Sequence, residues 1–102
     1  MLSIRIRAKL KDGQTEIRVL IEHPMETGRN KDRAGELIPA HFIRELRVER
    51  NAKVVVSAVL GAGISKDPYF AFYLTGGAVG DRIIVSWRDN LGSSDSAATA
   101  VK

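Results

Sequence analysis

Alternation with a period of two is the feature that most limits what this chain can become. Ile4, Ile6, Ala8 and Leu10 take every second position, with Arg5, Arg7 and Lys9 between them. Successive side chains of a strand point to opposite faces, so one face belongs to a core and the other to water. The pattern returns over Thr15–His23, where Ile17, Val19 and Ile21 point inward and Leu20 interrupts the polar side. It recurs over Phe42–Arg50, with Phe42, Leu46 and Val48 on one side, and over Lys53–Leu60, with Val54, Val56, Ala58 and Leu60. Tyr69–Thr75 sets Phe70, Phe72 and Leu74 against Tyr69, Ala71 and Tyr73, and Arg82–Asp89 turns Ile83, Val85 and Trp87 inward. The small-residue segment Ser94–Val101 reads as a last edge strand.

Turn residues punctuate these runs: Lys11-Asp12-Gly13, Asn51-Ala52, the stretch Gly76–Asp81 and Asn90-Leu91-Gly92. Glycine and asparagine supply the positive φ that tight hairpins need. About seven short strands with turn signals at such intervals predict an all-β, antiparallel β-sandwich or small barrel. Trp87, opposed by Phe70 and Phe72, is the expected centre of the core. At 102 residues the chain suits one domain over 1–102, burying roughly two-thirds of the surface its unfolded form exposes. Residues 24–40 break the rhythm. They contain Pro24, Gly28, Gly35, Pro39 and the charged run Arg29-Asn30-Lys31-Asp32-Arg33, with Met25, Leu37 and Ile38 as apolar side chains able to pin the segment down.

Little in the chain supports catalysis. With no cysteine there is no disulfide, thiolate metal site or cysteine nucleophile on this chain. His23 and His41 stand at strand boundaries without metal-ligand spacing and read as solvated or capping imidazoles, a ligand pair brought together in space being the lesser alternative. Ser57, Ser65 and Ser86 lack the context of an activated nucleophile, and no glycine-rich loop leads from strand into helix. The expectation is no catalytic residue, no metal and no cofactor. No apolar run approaches the ~20 residues of a membrane-spanning helix, and the N-terminus lacks the long apolar segment of a signal peptide.

Binding is the better-supported role. The chain has 16 basic and 12 acidic residues, and through Lys53 they number twelve and eight. That excess predicts an anionic partner, either nucleic acid or an acidic protein, or else a merely solvated face. The aromatic positions fall away from the basic rows, which argues against nucleic acid. Tyr69, Ala71 and Tyr73 expose little polarity, Ile84 and Ser86 extend the same character, and Leu20 adds to it. Either another protein covers this face or the loop at 24–40 folds back over it.

Three motifs carry a resemblance. They are His23-Pro24-Met25-Glu26-Thr27-Gly28-Arg29-Asn30-Lys31-Asp32, then Gly63-Ile64-Ser65-Lys66-Asp67-Pro68-Tyr69-Phe70, and finally Trp87-Arg88-Asp89-Asn90-Leu91-Gly92. In order and spacing the chain resembles the SoxZ family, the non-catalytic subunit of the SoxYZ carrier of bacterial thiosulfate oxidation. The resemblance implies an immunoglobulin-like β-sandwich and a heterodimer with SoxY, which carries sulfur intermediates on a cysteine in a flexible C-terminal arm. It further implies transient docking to the other Sox enzymes and a periplasmic location, reached without a signal peptide of its own by export bound to SoxY. Pro24, Met25, Glu26, Thr27, Gly28, Arg29, Asp67, Pro68, Tyr69, Phe70 and Tyr73 are the candidate partner or docking contacts. For Met25, Tyr69 and Phe70 internal packing is the competing role. Glu26 and Arg29 form either a clamp within the loop or an ion pair across an interface. The isolated chain is a candidate homodimer through the face meant for its partner.

Overall fold

The computed structural model describes residues 3–102, so Met1 and Leu2, where the N-terminal alternation begins, lie outside the described residues. Seven strands form: β1 (Ile4–Lys11), β2 (Gln14–Ile21), β3 (Ile43–Arg50), β4 (Lys53–Val59), β5 (Tyr69–Thr75), β6 (Arg82–Asp89) and β7 (Ser94–Ala100). They make two antiparallel sheets, one in the order β1-β2-β5 and the other β4-β3-β6-β7. This is the expected immunoglobulin-like sandwich, and Ser94–Ala100 is the strand that the small-residue pattern predicts.

Register stacks the inward side chains into rows. On the three-stranded sheet Ile6, Val19 and Phe70 lie side by side, followed by Ala8, Ile17 and Phe72. On the other sheet Ala58, Leu46 and Trp87 align, followed by Val56, Val48 and Val85. Ile17, Val19, Ile21, Ile43, Leu46, Val48, Ile83 and Val85 are fully or almost fully buried, each worth about 1.5–3 kcal/mol relative to exposure. The sandwich closes along one long side, where Leu10 N–H donates to the Lys102 carbonyl (2.9 Å) and Lys102 N–H to that of Ala8 (3.0 Å). Along the opposite side, the inward residues of β4 and β5 stay half-buried.

Two details depart from simple alternation. The pairing of β3 with β6 shifts between Ile43 and Glu45, so Ile43 joins Leu46 and Val48 in the core and Phe42 is only half-buried. A second shift, between Val48 and Glu49, leaves Val55 unpaired and turns Val54 out to solvent. A bulge inserts one residue and resets the parity of everything before it, which a strict two-residue period cannot anticipate. Trp87 also has a different aromatic neighbour from the one expected. Its ring meets the His23 imidazole edge-on at 5.1 Å, whereas Phe70 and Phe72 stack on each other at 6.2 Å.

Residues 24–40 do not fold over the outer face. They form an irregular hairpin of their own, begun by the mutual backbone hydrogen bonds of Glu26 and His41 (2.7 and 2.9 Å). Farther out, Lys31 bridges to Leu37, and the Asp32 carboxylate accepts from Ala34 N–H and Glu36 N–H in the turn. Met25 pins the base and Ile38 is half-buried, while Leu37 points into solvent at the tip. The projection fits an elongated molecule, 52 × 22 × 22 Å, with a radius of gyration of 15.4 Å where a compact chain of this length has about 13 Å.

Candidate functional site

In an antiparallel sandwich the end of β2, the start of β3 and the end of β6 come to the same pole, and the three sequence motifs meet there. His23 leaves β2, His41 precedes β3 and Asp89 closes β6. The Asp89 Oδ2 atom lies 3.1 Å from His23 Nε2 and 2.7 Å from His41 Nε2. Asp89 Oδ1 accepts from Leu91 N–H (3.0 Å) and Ser93 N–H (2.9 Å). Burial pushes the Asp89 carboxyl up, but hydrogen bonds from His23, His41, Ser93 and Leu91 outweigh it and hold the group below the ordinary carboxylate range. His23 and Asp89 are fully enclosed and the His41 side chain is 31% exposed. The reading of both histidines as solvated or capping groups is therefore corrected: His23 lies in the interior and His41 is half-buried.

The neighbours of His23 define its chemistry. Met25 N–H donates to Nδ1 (3.1 Å), so the ring proton of the neutral imidazole is assigned to Nε2, where it points at Asp89. His23, His41 and Asp89 have one ligand atom each within 4.8 Å of one another, a grouping able to hold a metal ion. The donor chemistry fits a hydrogen-bonded node better. Coordination through His23 Nε2 would require its proton to move to Nδ1, against the Met25 N–H already aimed there. The polar chain continues beyond the ring pair: Trp87 Nε1–H donates to Ser3 Oγ (2.9 Å), and the Ser3 hydroxyl donates to Asp95 Oδ2 (2.7 Å).

The same pole ties down all three motifs. His23 N–H donates to Asp67 Oδ1 (3.0 Å), Asp67 N–H to the His23 carbonyl (3.0 Å), and Ile21 N–H to the Pro68 carbonyl (3.0 Å). Asn90 accepts from Phe42 N–H (2.8 Å) and donates to the Ala40 carbonyl (2.9 Å). Met25 (φ 48°) and Asp67 (φ 50°) both take left-handed backbone, a strained conformation held by the contacts around it. Gly28 has φ +87° and sits so close to Ala40 that an added Cβ would lie 3.3 Å from the Ala40 methyl.

The candidate contacts consequently divide into two groups. Met25 and Pro68 are buried, Gly28 and Glu26 are half-buried, and Pro24, Thr27, Arg29 and Asp67 are exposed on the loops of the pole. Glu26 Oε2 accepts from Asn30 Nδ2 (3.0 Å), and no ion pair between Glu26 and Arg29 forms among the described residues. Phe70 faces inward, half-buried, whereas Tyr69 and Tyr73 are 55% and 58% exposed on the outer face of the three-stranded sheet. Leu20, opposite Tyr69 in the register, is uncovered as well. Ile84 and Ser86 do not extend that face, because β6 lies in the other sheet. The expected separation of aromatics from basic rows is also corrected: Tyr69, Leu20 and Arg5 form one outward row and Tyr73, Glu16 and Lys9 another. The histidine node escapes a search for local spacing, since its members are 48 and 66 residues apart from Asp89. Their positions at three strand ends that share a pole are the signal that finds them.

A family model described as "Sulphur oxidation protein SoxZ" matches residues 4–100. Nothing matches among curated proteins. Among solved structures, a superoxide reductase (neelaredoxin) from Ignicoccus hospitalis is similar in fold, with a TM-score of 0.62 and 20% identity, over 99% of this chain and 80% of that one.

Proposed function

Because the chain belongs to the SoxZ family of sulphur oxidation proteins, we propose that it is the scaffold subunit of a SoxYZ carrier. Its partner is a SoxY-like subunit whose cysteine bears the sulfur intermediates, and this chain itself catalyses nothing. The family match over residues 4–100 carries this reading. The chemistry supports it: a chain without cysteine has no thiolate to bond sulfur, so the covalent cargo belongs on another chain.

A carrier that visits several enzymes needs a rigid body that positions a mobile arm and is recognised weakly enough to be released. The node built on Asp89 supplies rigidity at one pole, where it fixes the loops bearing Pro24, Glu26, Thr27, Arg29 and Asp67 before any partner arrives. Such pre-ordering lowers the cost of binding. The partner's export signal would carry the assembled pair into the periplasm.

Co-expression with the SoxY-like protein encoded nearest to it, followed by native mass spectrometry, tests the reading. A one-to-one complex that survives purification is the expected result. Recovery of this chain alone, with the SoxY-like protein folded and present, would overturn it.

A further inference from the structure

The outer face of the three-stranded sheet joins two features that belong to different stretches of sequence. Along β1, Arg5, Arg7, Lys9 and Lys11 all point outward, and Arg18 on β2 lies beside Arg7. The carboxylate within these rows is Glu16, and it is already engaged: Arg18 Nε donates to Glu16 Oε1 (2.6 Å), a bond that holds the Glu16 carboxyl below its ordinary range. Asp12 and Glu22 lie beyond the ends of the strands and flank the rows without interrupting them. Across the sheet on β5 stand Tyr69 and Tyr73, roughly 10 Å from the basic column at two strand spacings. Arg18 links the two columns, since its Nη1 donates to the Tyr69 hydroxyl (3.1 Å).

We infer that this face docks an acidic protein surface, held by the β1 cations and Arg18 and anchored on Tyr69 and Tyr73. The inference goes beyond pairing with a carrier subunit and stands on the face itself. Charge complementarity sets the partner's sign: with Arg18 paired to Glu16, the four β1 cations Arg5, Arg7, Lys9 and Lys11 are left uncompensated within the rows and call for a surface of Asp and Glu. The tyrosines select protein over nucleic acid. Single-stranded nucleic acids stack successive bases on neighbouring rings, but side chains four residues apart on one strand stand ~13 Å apart, with Ala71 between them. Exposed tyrosine beside arginine is the composition of protein interface anchors. A second copy of this chain is a poor occupant, because the rows of like charge would face each other.

The test uses the full chain labelled with ¹⁵N and two probes of equal charge, a peptide of alternating Glu and Val and an oligothymidylate. The peptide should shift the amides of Arg5–Lys11, Arg18 and Tyr69–Tyr73, with affinity falling about tenfold between roughly 50 and 200 mM salt as screening grows. Arg7→Glu with Lys9→Glu should weaken binding by about tenfold or more, and Tyr73→Ser, which leaves the charge unchanged, by about fivefold. Lys53→Glu, on the other sheet, should leave it within about twofold. Absence of shifts at low salt, shifts confined to residues 29–37, or tighter binding of the oligothymidylate at this face would each overturn the inference.

Discussion

The pole around Asp89 and the outer face of the β1-β2-β5 sheet use polar and aromatic residues in opposite ways. At the pole each polar group named has its partner inside the protein: Asp89 receives four hydrogen bonds, His23 makes contacts through both ring nitrogens, and Trp87 donates to Ser3. On the face, Arg5, Arg7, Lys9, Lys11, Tyr69 and Tyr73 stand exposed. A satisfied, enclosed network gives rigidity and a single arrangement. An exposed row of charges flanked by rings gives little stability and leaves its interactions for another molecule. The most distinctive motifs of the sequence thus serve mainly to join loops, whereas the surface suited to contact is written in plain alternation.

The sharpest way to break this contrast is Asp89→Asn. An amide retains one acceptor oxygen, and its NH₂ must then face either the two imidazole N–H groups or the two backbone N–H groups. The expected loss is about 3 kcal/mol of folding stability, read as a fall in Tm of more than roughly 10 °C. A variant as stable as the parent would show that the node is not needed for rigidity. The same group sets a pH response. Its carboxyl is held below the ordinary value, so its contribution is fully present above the unfolded value near pH 4 and is lost as pH falls through the folded value. Melting curves from pH 6 down to about pH 2.5 should therefore fall more steeply below ~4 for the parent than for Asp89→Asn.

A smaller effect separates charge from geometry in the adjoining loop. Asp67→Ala removes the acceptor for His23 N–H while keeping the left-handed backbone, and should cost about 1–2 kcal/mol. Asp67→Asn retains an oxygen and tolerates that backbone, so it should stay within about 0.5 kcal/mol in the same denaturant titration. Equal losses would mean that the charge of Asp67 matters more than the bond. The smallest effect on stability belongs to the face: Tyr69→Ser and Tyr73→Ser should each change it by less than about 0.5 kcal/mol. A drop above 2 kcal/mol would place those rings in the structural half of the comparison.

Much of the fold is legible from residues alone because a sheet with one wet face writes its parity into the chain. β5 and β6 begin and end at the residues that alternation marks, and Asn51-Ala52 turns the chain between β3 and β4. Parity does not report which strands become neighbours. For that reason alternation alone assigns Ile84 and Tyr69 to one face although they lie in different sheets, and separates the basic column from the tyrosines although register sets both on one side. The bulges near Ile43 and Val55 are similarly silent, since nothing in Phe42-Ile43-Arg44 or Val54-Val55-Val56 marks the extra residue. Hydropathy patterns miss the histidine node altogether, because its members are polar and far apart in sequence. The loop at 24–40 shows a different gap: its length and charge are visible, but its hairpin depends on the pairing of Glu26 with His41.

Trp87 is the chain's one indole, and its ring lies against His23 at the edge of the node. The protein therefore contains one tryptophan reporter, at this site, and excitation at the red edge of indole absorption separates it from Tyr69 and Tyr73. Its emission wavelength and quantum yield register whether the imidazole edge and the serine hydroxyl are still in place. Loosening of that pole during acidification, partner capture or mutation can be followed in real time on unlabelled material, independently of events on the tyrosine-bearing face.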